Sequence, residues 1–217
     1  QIKYLKKYYI KKVPNVFEYP YFRNRVIKKN LAKSKSVRTN ISQKKPVVVI
    51  FPIKRILRQN MRVDFTGGND MYFTKWHSLL IDYLSKRDDF EFVWKGILQP
   101  PYYYDTIPDI IKNKNCDNIN FHTGKLRYWL PKSDRVLCDI PSTAFFEAVF
   151  SGQPVFSTIN PKELKVDQKF YESLGTSLRT YSNFEEGIKH VEEFLDSEPY
   201  NYIVDLPKTE GSILNYF

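Results

Sequence analysis

The sequence predicts an α/β protein built on a doubly wound parallel sheet, and three observations carry this. Two apolar runs, Val47–Phe51 (VVVIF) and Arg135–Asp139, are continuous rather than alternating, as in strands buried on both faces beneath helices. Stretches with apolar residues at helical spacing alternate with such runs along the chain. The segment 134–157, DRVLCDIPSTAFFEAVFSGQPVFS, compresses strand, tight turn, helix and strand into one unit, most simply a right-handed parallel βαβ crossover.

Each element has its own local reason. Gln1–Val13 places Ile2, Leu5, Tyr9 and Val13 near helical spacing between Lys3, Lys6, Lys7, Lys11 and Lys12. That pattern suits a basic amphipathic helix on anionic lipid, or a solvated helix that packs on a partner domain. Pro14–Pro20 breaks it, and Arg23–Lys45 reads as a second helix and a linker. After the strand Val47–Phe51, Pro52–Asp70 reads as a long loop with Lys54, Arg55, Arg58, Arg62 and the pair Gly67-Gly68. Met71–Lys86 is a helix with Phe73, Trp76, Leu79, Leu80, Tyr83 and Leu84 on one face. Asp89–Lys95 is a strand, Thr106–Asn113 a short helix, Ile119–His122 a short strand, and Lys125–Leu130 a short helix ending before Pro131. In the central unit Pro141 and Ser142 break the strand, Thr143–Phe150 is helical, Gly152 stops it, and Pro154–Ser157 opens the next strand. A helix around Val166–Leu174, a strand Ser177–Thr180, a helix Asn183–Asp196 capped by Ser182, and a last helix in Lys208–Phe217 complete the chain.

Composition bounds the possibilities. With 42% hydrophobic residues the chain can bury a sizeable core, and no apolar run approaches the roughly 18–20 residues of a membrane span. Cys116 and Cys138 have no metal-site spacing, and Cys138 in mid-strand reads as an inert buried thiol, compatible with a reducing cytoplasm. The net charge of +10 is uneven: residues 1–45 hold 14 Lys/Arg against one acid (+13), and residues 46–217 hold 20 against 23 (−3). The basic character therefore belongs to the N-terminal fifth, and the domain boundary is placed between residues 45 and 46. The chain starts at Gln1, which reads as a fragment of a longer protein.

In doubly wound sheets ligands bind beyond the carboxyl ends of the strands. Three places map there: Pro52–Arg62, His122–Lys125 and Ile140–Thr143. Ser142 and Thr143 stand at a helix N-terminus, where free N–H groups and the positive end of the helix dipole favour an anion. They are read as ligands of a diphosphate, against plain N-capping by Ser142. His122, followed by Thr123-Gly124-Lys125, is the histidine best placed to reach a phosphate or a base; His77 and His190 are read as structural. Arg55 and Arg58, with Lys54 and Arg62, suit a diphosphate because a guanidinium fork matches its oxygens; ordinary surface charge is the alternative. Asp139 is read either as a catalytic base or as an acceptor that orients the turn. No Asp-x-Asp, HExxH or CxxC pattern occurs, so no metal or cofactor is expected.

Several of these landmarks resemble the C-terminal, donor-binding half of a GT-B glycosyltransferase, a Rossmann-like fold. The branch most similar is that of bacterial surface-polysaccharide and teichoic-acid enzymes, including CDP-glycerol glycerophosphotransferases. The resemblance rests on PVVVIFP with its basic loop and on NINFHTGKLRYWLPKSDRVLCDIPSTAFFEAVFSGQPVF. It extends through FYESLGTSLRTYSNFEEGIKHVEEFL and KTEGSILNYF, so that it covers roughly 46–217. Trp94-Lys95-Gly96 stands where the family often carries a His-Pro pair, and residues 1–45 are too few for the N-terminal acceptor domain. The resemblance implies a nucleotide-activated sugar donor, a glycan or lipid-linked acceptor, and a sugar or ribose contact from the acid at Glu147, for which a solvated helix face is the alternative. It also implies a chain that binds a donor better than it catalyses alone.

Three functions follow as expectations. The first is a nucleotide-sugar-dependent glycosyltransferase domain of surface-polysaccharide (capsule) synthesis. It would be cytoplasmic and peripheral to an anionic membrane face through residues 1–45. The second is transfer of a polyol phosphate from a CDP-linked donor. The third is a non-catalytic module whose basic arm grips anionic lipid or nucleic acid, although no DNA- or RNA-reading motif is present and nucleic acid is not expected.

Overall fold

The computed structural model describes residues 45–52, 70–96, 105–124, 126–164, 171–172 and 174–204. The expectations for the basic arm, the basic loop with Gly67-Gly68, Lys125, most of the helix around Val166–Leu174 and the terminal helix lie outside the described residues.

Six parallel strands form one sheet: β1 (Val47–Phe51), β2 (Glu91–Lys95), β3 (Ile119–His122), β4 (Arg135–Cys138), β5 (Val155–Ile159) and β6 (Leu178–Thr180). Their order is β3-β2-β1-β4-β5-β6. The chain thus winds outward from β1 to one edge, returns, and winds outward from β4 to the other. The order reverses between β1 and β4, where Val49 lies opposite Val136 and Phe51 opposite Cys138. This is the Rossmann-like doubly wound arrangement, and its reversal point is where such sheets open a crevice.

Helices cover both faces, which explains why the strand runs are continuous in apolar residues. On one face lie α1 (Asp70–Leu84), α2 (Ile107–Asn113) and α4 (Phe184–Asp196). Phe73, Trp76, Leu80, Ile81 and Leu84 of α1 pack there with Val48, Ile50, Phe92, Trp94, Leu137 and Phe156 of the sheet. The alternate strand positions, Val49, Phe51, Val93, Val136 and Cys138, face α3 (Thr143–Phe150) and its Phe145, Phe146 and Val149. The β period of two assigns each residue to a face, and the register carries that assignment across the sheet. Gly152 ends α3 with φ +71°, a left-handed conformation open to glycine.

Two local expectations are corrected. Lys125–Leu130 is not one helix; two 3-10 turns, Leu126–Tyr128 and Leu130–Lys132, occupy the region, with Pro131 opening the second and Ser133 Oγ donating to the Leu130 carbonyl. The cap of α4 is Asn183, whose side chain accepts from Glu186 N at 3.0 Å, rather than Ser182. Ser182 instead donates through N and Oγ to the Glu186 carboxylate, so Glu186 reaches back over the helix start as in a capping box.

Arg135 is a buried cation built into this frame. At the amino end of β4, 7% exposed, it donates from Nη1 to the Phe194 carbonyl and from Nη2 to the Ser197 carbonyl at 2.5 and 2.7 Å. Its guanidinium lies over the Phe90 and Phe194 rings. It therefore closes the carboxyl end of α4, where the dipole favours a cation. Arg135→Met is expected to lower stability by roughly 1.5–3 kcal/mol, read by urea titration. Deleting residues 1–44 is expected to leave a chain that still melts cooperatively in calorimetry, because β1 starts at Val47; an unfolded product would place the basic arm in the core.

Candidate functional site

The crevice rim is assembled by register. His122 of β3 lies opposite Lys95 of β2, Ile50 of β1 opposite Trp94, and Phe51 opposite Cys138 of β4. Continuing the pairing one step sets Lys95 level with Phe51. His122, Lys95, Phe51 and Cys138 thus form one transverse row at the carboxyl ends of four neighbouring strands. This row faces the α3 side, since the intervening Trp94 packs on the other face.

From Cys138 the chain enters the turn that opens α3. Asp139 N donates to the Phe51 carbonyl at 3.2 Å and Ser142 N to the Ile140 carbonyl at 2.7 Å, so the turn is pinned to β1 and to itself. Ser142 is the N-cap residue of α3, with extended φ −86° and ψ −175°, yet its side chain makes no capping hydrogen bond. The first-turn N–H groups of a helix have no intrahelical acceptor. Thr143 is exposed beside them. The structure therefore brings Ser142 and Thr143 to the reversal point of the sheet, with the Ser142 hydroxyl not spent on its own helix.

Glu147 lies one turn farther along α3 and is 4% exposed, so it is not on a solvated helix face. His122 is exposed and packs on Trp129 with ring centroids 4.6 Å apart, and Lys132 Nζ lies over the Trp129 ring, 5.2 Å from its centroid. Arg55, Arg58 and Lys125 lie outside the described residues.

Asp139 is buried, its side chain 2% exposed. Trp76 Nε1 donates to Oδ1 at 3.1 Å, and His77 Nε2 is hydrogen-bonded to Oδ2 at 2.5 Å. Both donors come from α1, the helix that follows β1, so the carboxylate ties the end of β4 to the opposite layer. His77 is fully buried, edge-on to Trp94, and its Nδ1 has no partner among the described residues. Cys138, next to Asp139, is also enclosed, and desolvation raises its thiol well above the usual range, as an inert thiol requires.

A second polar group lies at the same rim on the α1 side. Tyr72 Oη donates to Tyr181 Oη at 2.5 Å, and Asn160, at the end of β5, also bonds Tyr72. Burial pushes both phenols up, and Tyr181 lies stacked on Trp76. The hydroxyls are neutral partners that fasten β5 and β6 to α1.

Sequence reading missed Trp76, His77 and Lys95 as members of the site. The apolar stripe of α1 runs through positions 73, 76, 77, 80, 81 and 84, and a histidine in such a stripe signals a buried polar partner. Lys95 follows the apolar run Phe92-Val93-Trp94 at the carboxyl end of β2, the end that reaches the rim.

The fold and rim define a class: a Rossmann-like α/β protein with a helix N-terminus at the reversal point of its sheet. No known protein family's profile matches the chain, and no curated protein matches it. Among solved structures it is similar to sucrose-phosphate synthase from Thermosynechococcus elongatus, at 14% identity and TM-score 0.49, covering 80% of this chain and 41% of that one. It is also similar to the apo structure of OtsA, at 10% identity and TM-score 0.49, covering 84% and 45%. The glycotransferase of kitacinnamycin follows at 10% identity and TM-score 0.44, covering 75% and 38%. The chain thus spans less than half the length of each of these structures.

Asp139→Asn tests the anchoring of the turn. The substitution turns one of the two carboxylate oxygens into an NH2 donor, so the pair of acceptors that serves Trp76 Nε1 and His77 Nε2 is lost. A loss of about 1–3 kcal/mol is expected in urea titration, and an unchanged midpoint would show that the carboxylate anchors nothing.

Proposed function

We propose that this chain is the donor-binding half of a GT-B glycosyltransferase, which transfers a sugar from a nucleotide-activated donor in bacterial surface-polysaccharide synthesis. The observation that carries the reading is the meeting of two features. The N-terminus of α3, with Ser142 at its cap and no capping bond from that side chain, opens where the strand order reverses. The motifs of 46–217 support the same reading, since the IPSTAFFEAVF segment that resembles the family's donor turn forms this helix start.

The chemistry follows from the geometry. A nucleoside diphosphate leaving group gains negative charge on its terminal phosphate as the bond to the sugar breaks. First-turn N–H groups of α3 and the hydroxyls of Ser142 and Thr143 would donate to those oxygens. Donors already fixed in place favour the charge that develops in the transition state over the charge of the bound donor. In this reading Arg55, Arg58 and Lys125 add cationic contacts, His122 contacts phosphate or base, and Glu147 contacts a ribose or sugar hydroxyl. Asp139 acts as a positioning residue for the turn, because its carboxylate is enclosed and already accepts from Trp76 and His77. The acceptor, a glycan or lipid-linked saccharide, would come from a second domain across the cleft. Residues 1–45, with their charge of +13, would hold the enzyme against an anionic membrane face.

A thermal-shift screen with UDP-, GDP-, CDP- and CMP-linked compounds tests the reading. A ligand that binds the native state raises apparent stability by RT ln(1 + [L]/Kd). Ser142→Ala is expected to weaken the best nucleotide by on the order of 10- to 150-fold in calorimetry, with little change in Tm. A response confined to CDP-linked polyols would move the assignment to polyol-phosphate transfer. If Ser142→Ala lowers Tm and leaves nucleotide affinity unchanged, Ser142 only caps its helix.

A further inference from the structure

We propose that Lys95 is a second anion-binding group of the crevice, its ammonium contacting a phosphoryl group of the ligand from the β2 side while the N-terminus of α3 contacts it from the β4 side. The inference rests on the donor-site reading for the identity of the ligand, a nucleoside diphosphate, but not for the presence of an anion.

Four observations carry it. Lys95 is 5% exposed although it carries a charge at the carboxyl end of β2, directly after the apolar run Phe92-Val93-Trp94. Among the described residues its ammonium has one hydrogen-bond acceptor, the Gly96 carbonyl at 2.5 Å, and no carboxylate lies within ion-pair distance. Its strand position faces the α3 side, in the transverse row with His122 and Phe51. Two strand spacings, roughly 10 Å, separate β2 from β4 with the end of β1 between them. A nucleoside diphosphate lying across the end of β1 meets both groups.

A buried ammonium without a counter-charge is unfavourable, and burial lowers the Lys95 pKa accordingly. The aliphatic stem alone does not explain a lysine here, since methionine fills the same volume without the charge. Arg135 shows what a structural cation looks like in this protein: two helix carbonyls and two aromatic rings surround it. Among the described residues Lys95 has one carbonyl, which leaves ammonium donors for a ligand. Its backbone is also held in place. Gly96 N donates to the His122 carbonyl at 2.8 Å, and Gly96 lies so close to the Phe121 ring that an added Cβ would stand 2.2 Å from Cζ. The strand end therefore presents the ammonium from a fixed position.

The test measures calorimetric affinity for inorganic pyrophosphate, for UDP, GDP and CDP, and for the three parent nucleosides. It compares the full chain with Lys95→Met, Lys95→Gln and Ser142→Ala. Both Lys95 variants are expected to bind pyrophosphate and the preferred nucleoside diphosphate on the order of 10- to 150-fold more weakly, with nucleoside affinity unchanged. The free Lys95→Met protein is expected to melt at the same or a higher temperature, because a desolvated charge is gone. Unchanged diphosphate affinity in a folded Lys95 variant, beside a loss in Ser142→Ala, overturns the inference and leaves the donor-site reading standing. Lys95-dependent binding of pyrophosphate with no nucleoside diphosphate bound supports the inference and removes the donor-site reading. If the wild-type chain binds none of these anions, both fall. A Lys95→Gln protein that folds only with lowered Tm and keeps full affinity assigns Lys95 to the frame alone.

Discussion

The carboxylate of Asp139 joins the two walls of the crevice. It stands at the end of β4 and accepts from Trp76 and His77 on α1, the helix that follows β1, across 63 and 62 positions of sequence. Inside a protein such bonds are strong because no water competes, and breaking one leaves a buried donor or acceptor unmatched. Aspartate suits the place: its side chain is short, and its two oxygens can serve two donors at once. The turn Ile140–Ser142 hangs from this anchor, and the turn aims the N-terminus of α3. The orientation of the proposed anion site thus depends on a contact made in the opposite layer of the fold.

The two faces of the sheet divide the work. The α1–α4 face is heavily aromatic: Trp76 stacks on Tyr181, Phe156 on Phe194, and Tyr202 stands edge-on to both phenylalanines. Aromatic contacts of this kind add to plain area burial and prefer defined geometries, which makes this layer a stiff support. The other face carries the eight-residue α3 and two 3-10 turns over smaller strand side chains. His122, Lys95 and Glu147 all belong to this side.

Arg135 and Lys95 form a natural comparison. Both are cations buried in the sheet, 7% and 5% exposed, Arg135 at the amino end of β4 and Lys95 at the carboxyl end of β2. The planar guanidinium is met by carbonyls at a helix end and by rings on its faces, so its charge is settled within the fold. The ammonium has, among the described residues, one carbonyl acceptor and lies at the carboxyl rim. Equal burial therefore has different meanings, decided by which partners surround the charge and at which end of the strand it stands.

What the sequence determined by itself was local. Continuous apolar runs marked Val47–Phe51 and Arg135–Asp139 as buried strands, the second one residue longer than the strand that forms; the stripe through Phe73, Trp76 and Leu80 marked α1, and Pro141, Ser142 and Gly152 bounded α3. These signals survive in one dimension because a period of two or 3.6 and a turn residue are properties of neighbours in the chain. The same local view misplaced the cap of α4 by one residue, since Ser182 and Asn183 are both able caps and only the helix geometry selects between them. The tertiary structure alone decided that β1 lies between β2 and β4. It also decided that Lys95 shares a row with His122 and Phe51, and that Asp139 meets Trp76 and His77. Those facts depend on strand order and register, which arise from pairings between segments 40 to 90 residues apart. No periodicity in the chain records them. They are settled only when both faces of the sheet are buried at once, because a one-residue slip would turn every apolar side chain to the wrong layer.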